Sequence, residues 1–108
     1  MITALTYQVL LALADSDRHG YGIIKEIEER EGEDAAPSTG ALYLALQRME
    51  REGLIAEGAP PRADDDARRR YYTVTRLGRS VGEQESARLA ALVRIARQKK
   101  LLTREARA

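Results

Sequence analysis

The stretch PSTGALYLALQRMEREGLIAE, residues 37–57, contains one change of hydrophobic period, and that change decides the fold. Leu42, Ala45, Leu46 and Met49 recur at helical spacing and predict one buried helical side. Pro37-Ser38 opens this helix, with the Ser38 hydroxyl placed to accept from an orphan amide of the first turn. Gly53 closes it, as glycine does one position past a helix C-terminus. Thr39, Gly40, Tyr43, Gln47, Arg48 and Arg51 are left on the opposite side. From Leu54 onward the period falls to about two, so Leu54-Ile55-Ala56-Glu57 reads as a short strand.

Outward toward the C-terminus, Arg69-Arg70-Tyr71-Tyr72-Thr73-Val74 reads as a second strand, because aromatic and β-branched residues favour a pleated surface. The segment between the strands, residues 58–67, contains Gly58, Pro60, Pro61 and the run Asp64-Asp65-Asp66, which predicts a hairpin with a long tip. Thr75 then caps a final helix from Arg76 to Leu102, with Leu77, Val81, Leu89, Leu92, Val93 and Ala96 as its apolar positions. Outward toward the N-terminus, residues 32–37 read as a loop. A helix from Tyr21 to Glu31 precedes it, carrying Ile23, Ile24 and Ile27 inward and stopping at Gly32. The first helix places Ile2, Leu5, Thr6, Val9, Leu10 and Leu13 on one face and ends at the turn cluster Asp15-Ser16-Asp17.

Helix, helix, helix, hairpin, helix is the order of a winged helix-turn-helix, with the third helix as the reader of DNA and the hairpin as the wing. The expected architecture is mainly α with a β-hairpin wing. Residues 1–75 form the winged-helix domain and residues 76–108 a long C-terminal dimerisation helix. That helix would extend roughly 40 Å, whereas the body before it would be about 25–30 Å across. Its far half has no partner within one chain, and a second copy paired across a two-fold axis supplies one. Leu89, Leu92, Val93 and Ala96 are the residues expected at that contact.

Composition narrows the function classes. The chain has 108 residues, 44% hydrophobic and 32% charged. That is one ordinary globular domain. With no cysteine, disulfides, thiolate nucleophiles and zinc fingers are excluded. His19 is the single histidine, so a histidine-built metal site is excluded too. His19 has no Ser, Cys or carboxylate partner at catalytic spacing, and its expected role is to shape the start of the second helix. No glycine-rich phosphate loop is present, and the carboxylates of Asp64–Asp66 diverge in a turn. The expectation is a non-enzymatic chain without cofactor or metal. No apolar run is long enough to span a membrane. Residues 1–17 carry no basic segment and no small-residue cleavage site ahead of their apolar run, so a cytoplasmic location is expected. The net charge of +1 conceals an asymmetry: residues 1–58 hold 5 Lys/Arg against 11 Asp/Glu, and residues 59–108 hold 13 against 6. Such a basic half faces either an acidic partner or the acidic half of its own chain.

Three motifs then become recognisable. His19-Gly20-Tyr21-Gly22-Ile23, the run from Pro37 to Tyr43 followed by Leu46, Arg48, Met49 and Glu52 to Ile55, and Arg70 to Thr75 ending in Gly78 together resemble the PadR family of prokaryotic transcriptional regulators. The resemblance runs from about Leu5 to Gly78, and the final helix resembles the single dimerisation helix of the family's shorter members. It implies a homodimeric winged-helix repressor that binds double-stranded DNA at a palindromic operator, with a small-molecule effector in many members. Two departures stand out: Leu44 occupies a position where many relatives have proline, and the final helix has no aromatic side chain on which a flat effector could stack.

Candidate contacts follow from the way a recognition helix meets a groove. Ser38, Thr39 and Tyr43 supply hydroxyls, and Gly40 admits a phosphate close to the backbone. Gln47 has the geometry for adenine, and Arg48 for guanine or a phosphate. Arg68, Arg69 and Arg70, read as consecutive strand residues, alternate in direction, so one face of the wing presents a guanidinium. Each has a plainer reading: Ser38 as a cap, Tyr43 as packing, Arg68–Arg70 as counterions of Asp64–Asp66. The rival function is a protein-interaction module using the basic C-terminal half on a protein or RNA partner.

Overall fold

The computed structural model describes residues 1–61 and 69–103. The elements are α1 (Ala4–Leu13), β1 (Arg18–His19), α2 (Gly20–Glu31), a 3-10 turn (Glu33–Ala35), α3 (Thr39–Arg51), β2 (Ile55–Glu57), β3 (Tyr71–Val74) and α4 (Arg76–Gln98). This is the expected mainly helical architecture, with a small sheet in place of a simple hairpin.

The core lies where the apolar stripes of the first three helices meet. Val9 and Leu13 of α1, Ile23 and Ile27 of α2, and Leu42, Leu46 and Met49 of α3 are all at most 2% exposed. Burying a side chain of this size contributes about 1.5–3 kcal/mol each, before the conformational entropy lost. Ile55 and Tyr72 close the cluster from the sheet side. Ile24, at the edge of the α2 stripe, is only half-buried and packs against this cluster.

Caps set the helix starts. The Thr3 hydroxyl accepts from the Thr6 amide at 3.1 Å, and the Ser38 hydroxyl from the Ala41 amide at 3.1 Å. Gly53 sits at φ +78°. There the Leu54 amide donates to Met49 O (2.9 Å) and the Gly53 amide to Glu50 O (3.1 Å), which turns the chain sharply from α3 into β2.

The sheet runs β1-β3-β2, antiparallel throughout, pairing Arg18 with Tyr72, His19 with Tyr71, and Ile55 with Val74. The sheet and the final helix differ from the sequence expectation. Strand β1 was not expected; two residues carry no period. Strand β3 begins at Tyr71, so Arg69 and Arg70 precede it and are not ladder residues, while Arg68 lies outside the described residues. The Gly58 amide donates to Tyr71 O at 2.8 Å, and the described pairing ends there. The final helix stops at Gln98, four residues short of Leu102.

Helix α4 is capped by Thr75, whose hydroxyl accepts from the Gly78 amide at 3.0 Å and donates to Gly53 O at 2.5 Å. Its first half packs on α1: Tyr7 Oη and Ser86 Oγ are 2.6 Å apart, and Arg79 donates to Ala14 O at 2.9 Å. Glu85 is the last buried residue; none of residues 86–103 is buried.

Candidate nucleic-acid interface

The buried stripe of α3 dictates what its other side shows. Ser38, Thr39, Gly40, Tyr43, Leu44 and Gln47 are exposed, with Tyr43 at 41% and Leu44 at 69%. A Cβ built at Gly40 would meet nothing within 4 Å, so no neighbour in the chain requires glycine there. A glycine inside a helix costs about 1 kcal/mol relative to alanine.

Tyr43 is held by what it stands on. Its ring lies over Gly20 at the start of α2, where a Cβ would come within 2.7 Å of Tyr43 Cζ. Gly20 in turn follows His19, whose Nδ1 accepts from the Gly22 amide at 3.1 Å and caps α2. The His19 ring meets the Tyr71 ring edge-on at 5.2 Å. His19 thus shapes the turn, and its imidazole is occupied by that task.

Between α3, the start of α2 and the base of the wing lies an open cleft of about 500 Å³. Tyr43, Gln47 and Glu50 line it from α3, Tyr21 from α2, and Arg69, Arg70 and Tyr72 from the wing side. Arg70 Nη2 donates to Glu50 Oε2 at 2.6 Å and its Nε lies 3.8 Å from Glu57 Oε1. Its guanidinium carbon is 5.5 Å from the centre of the Tyr72 ring. Burial pushes the Tyr72 hydroxyl above its usual range, with Arg70 acting the other way. The phenol therefore stays protonated.

The cleft gathers Tyr43, Gln47, Arg69 and Arg70, and Ser38, Thr39 and Gly40 open the same helix. Arg48 is elsewhere. It is half-buried and its Nη2 donates to Thr6 Oγ1 of α1 at 3.0 Å. Glu50 was missed by the sequence reading, although its spacing of three from Gln47 and seven from Tyr43 places it on their face. Its partner Arg70 is twenty positions away, beyond any helical rule.

On α4, Leu92 (49%), Val93 (41%) and Ile95 (45%) are exposed, while Leu89 and Ala96 are half-buried. Glu85 accepts from Arg88 Nε at 3.0 Å and Nη2 at 2.5 Å, which holds its carboxyl below the ordinary carboxylate value. Among the described residues no three His, Cys, Asp or Glu side chains are placed to hold a metal, and no helix is long and apolar enough to cross a membrane.

Three helices, a sheet with a wing and a reader helix exposed along one polar side define a winged helix-turn-helix protein. The sequence pattern of the Transcriptional regulator PadR-like family matches residues 9–84, and the chain belongs to that family. The family is one of transcriptional regulators and not of enzymes. The chain is 37% identical over 84 residues to a transposon protein of Streptomyces fradiae and 32% identical over 72 residues to a protein of Lysinibacillus sphaericus. Those matches cover 78% and 67% of this chain, but it spans only 22% and 65% of those two proteins. It is also 32% identical over 91 residues to a transcriptional regulator of Mycobacterium tuberculosis, covering 84% of this chain and 80% of that one. Among solved structures it is similar to a PadR family transcription regulator of Clostridium difficile, with a TM-score of 0.77 and 27% identity over 89% of this chain and 97% of that one. The fold is also that of Bacillus subtilis PadR, solved in complex with operator DNA, with a TM-score of 0.64 and 22% identity over 76% of this chain and 46% of that one.

Proposed function

We propose that the chain is a sequence-specific DNA-binding regulator, a repressor that grips a palindromic operator as a homodimer in the cytoplasm. The observation that carries this reading is the meeting of the exposed side of α3 with the arginine-bearing base of the wing at one cleft. A reader helix and a wing must engage one duplex together, the helix in the major groove and the wing on the adjacent backbone or minor groove.

In this reading the first turn of α3 approaches the backbone. Ser38 and Thr39 offer hydroxyls, and the bare surface at Gly40 admits a phosphate oxygen to the helix N-terminus. Tyr43 and Gln47 lie one and two turns further along, where base edges come within reach. Arg69 and Arg68 meet phosphates from the wing. Arg48, tied to Thr6, has a supporting role in holding α3 against α1. Leu89, Leu92, Val93 and Ala96 of α4 join two copies. Two-fold symmetry would then set two reader helices about 34–36 Å apart on one face of the duplex and make the operator palindromic.

The decisive experiment is a fluorescence anisotropy titration with duplex from just upstream of the chain's own coding region against a scrambled control, at low and moderate salt. The reading expects sequence-selective, salt-dependent binding at two chains per site. Equal and weak binding to both duplexes, erased at moderate salt, would place the operator elsewhere or favour a protein or RNA partner instead.

A further inference from the structure

Arg70 is a cation of the DNA-facing cleft whose charge is already engaged. Glu50 takes it at 2.6 Å from α3, Glu57 flanks it at 3.8 Å from β2, and the Tyr72 ring lies 5.5 Å away. Two carboxylates around one guanidinium leave that spot with no net positive charge. We infer that Glu50 is a carboxylate gate that withholds Arg70 from phosphate and so lowers the chain's electrostatic affinity for duplex. The inference rests on the DNA-binding reading above and deepens it.

Glu50 and a phosphate compete for the same guanidinium. Non-specific affinity comes almost wholly from cations that neutralise phosphates. A phosphate entering the cleft must displace Glu50 from Arg70, and the displaced carboxylate then faces the phosphate backbone. One attraction is exchanged for another, and a repulsion is added. Glu50 thereby weakens the sequence-independent part of binding, the part that random duplex reports. The Glu50–Arg70 pair is exposed enough to be opened: Arg70 is 54% exposed and Glu50 24%.

The test needs no operator. The full chain and its Glu50→Gln variant are titrated with one scrambled duplex across a salt series from about 50 to 200 mM. Releasing Arg70 adds one phosphate contact, so the variant should bind more tightly at low salt. Its log–log salt slope should be steeper by about 0.9, which is about a 3.5-fold larger loss over that range. The Glu50→Gln/Arg70→Ala double variant should return to the wild-type slope. A merely structural role for Glu50 would change affinity without adding an ion to the slope, and matched thermal unfolding midpoints exclude a folding defect. An unchanged or shallower slope in Glu50→Gln overturns the gate, as does a steeper slope that persists without Arg70. If no variant, wild type included, binds duplex in a salt-dependent way, the DNA-binding reading falls, and the gate falls with it.

Discussion

The phenol ring of Tyr43 rests on the bare Cα of Gly20, so a side chain at the start of α2 decides where a reader-helix residue can stand. A Cβ at Gly20 would lie 2.7 Å from Tyr43 Cζ and 3.2 Å from Cε1. The obstructed atoms are the far end of a half-exposed side chain, so the ring swings aside and the backbone does not move. Gly20→Ala should cost about 1–2 kcal/mol, the lower part of the range for overpacking, and should blunt sequence discrimination on DNA. In a Tyr43→Ala background the same change should be close to neutral in urea unfolding. Equal costs in both backgrounds would show that Tyr43 is not what Gly20 accommodates.

Two glycines of α4 make opposite demands. A Cβ at Gly78 would run into the Leu54 carbonyl and come within 3.0 Å of Val74 Cγ2, with backbone on one side and a packed strand on the other. At Gly82 it would make ordinary contact with Leu10 Cδ1 at 3.8 Å. Gly78→Ala should destabilise by about 2–3 kcal/mol. Gly82→Ala should stabilise by up to about 1 kcal/mol through helix propensity. Calorimetry at one fixed protein concentration checks both, because any dimerisation makes the melting temperature concentration-dependent.

The far half of α4 carries the dimer proposal. Leu92→Glu with Val93→Glu places two carboxylates on its exposed apolar stripe. The double variant should sediment at the single-chain mass of 12.0 kDa, at concentrations where the parent sediments at twice that mass. The helix signal in circular dichroism should be retained, since neither residue is buried in the single chain. A parent that already sediments at the single-chain mass would remove the α4 dimer.

Glu85 makes a pH-dependent contribution to stability. The Arg88 hydrogen bonds hold its folded pKa below the ordinary value of 4.5, so acidification protonates the unfolded chain first. The increment is fully present above pH 4.5 and is lost as pH falls through the lower folded value. Stability curves for the wild type and Glu85→Gln should therefore converge below pH 4.5. A gap independent of pH would mean that Glu85 acts through packing alone.

Local rules made α3 readable: the Ser38 cap, the stripe from Leu42 to Met49 and the stop at Gly53 are all set within one segment. The misses involve distant partners or an unusual stop. Strand β1 exists because Arg18 and His19 pair with Tyr72 and Tyr71, and two residues cannot announce a period. Arg69 and Arg70 sit beside strand-forming neighbours, yet the ladder gives them no rung beyond Tyr71. Helix α4 ends where Lys100 takes φ +64° and the Leu101 amide reaches back to Ala96 O at 2.8 Å. That is a glycine-type stop made without glycine. The site was legible as one face of α3, but neither Arg48's attachment to Thr6 nor the Glu50–Arg70 pair follows from spacing. Both join residues that only the folded chain brings together.

The two-residue strand has a practical consequence. Because His19 both pairs with Tyr71 and caps α2 through the Gly22 amide, the seat of the wing and the start of α2 share one residue. Gly22 is thus a built-in strain gauge. Its hydrogen-exchange rate reads, without a label, how firmly that cap holds at the edge of the cleft.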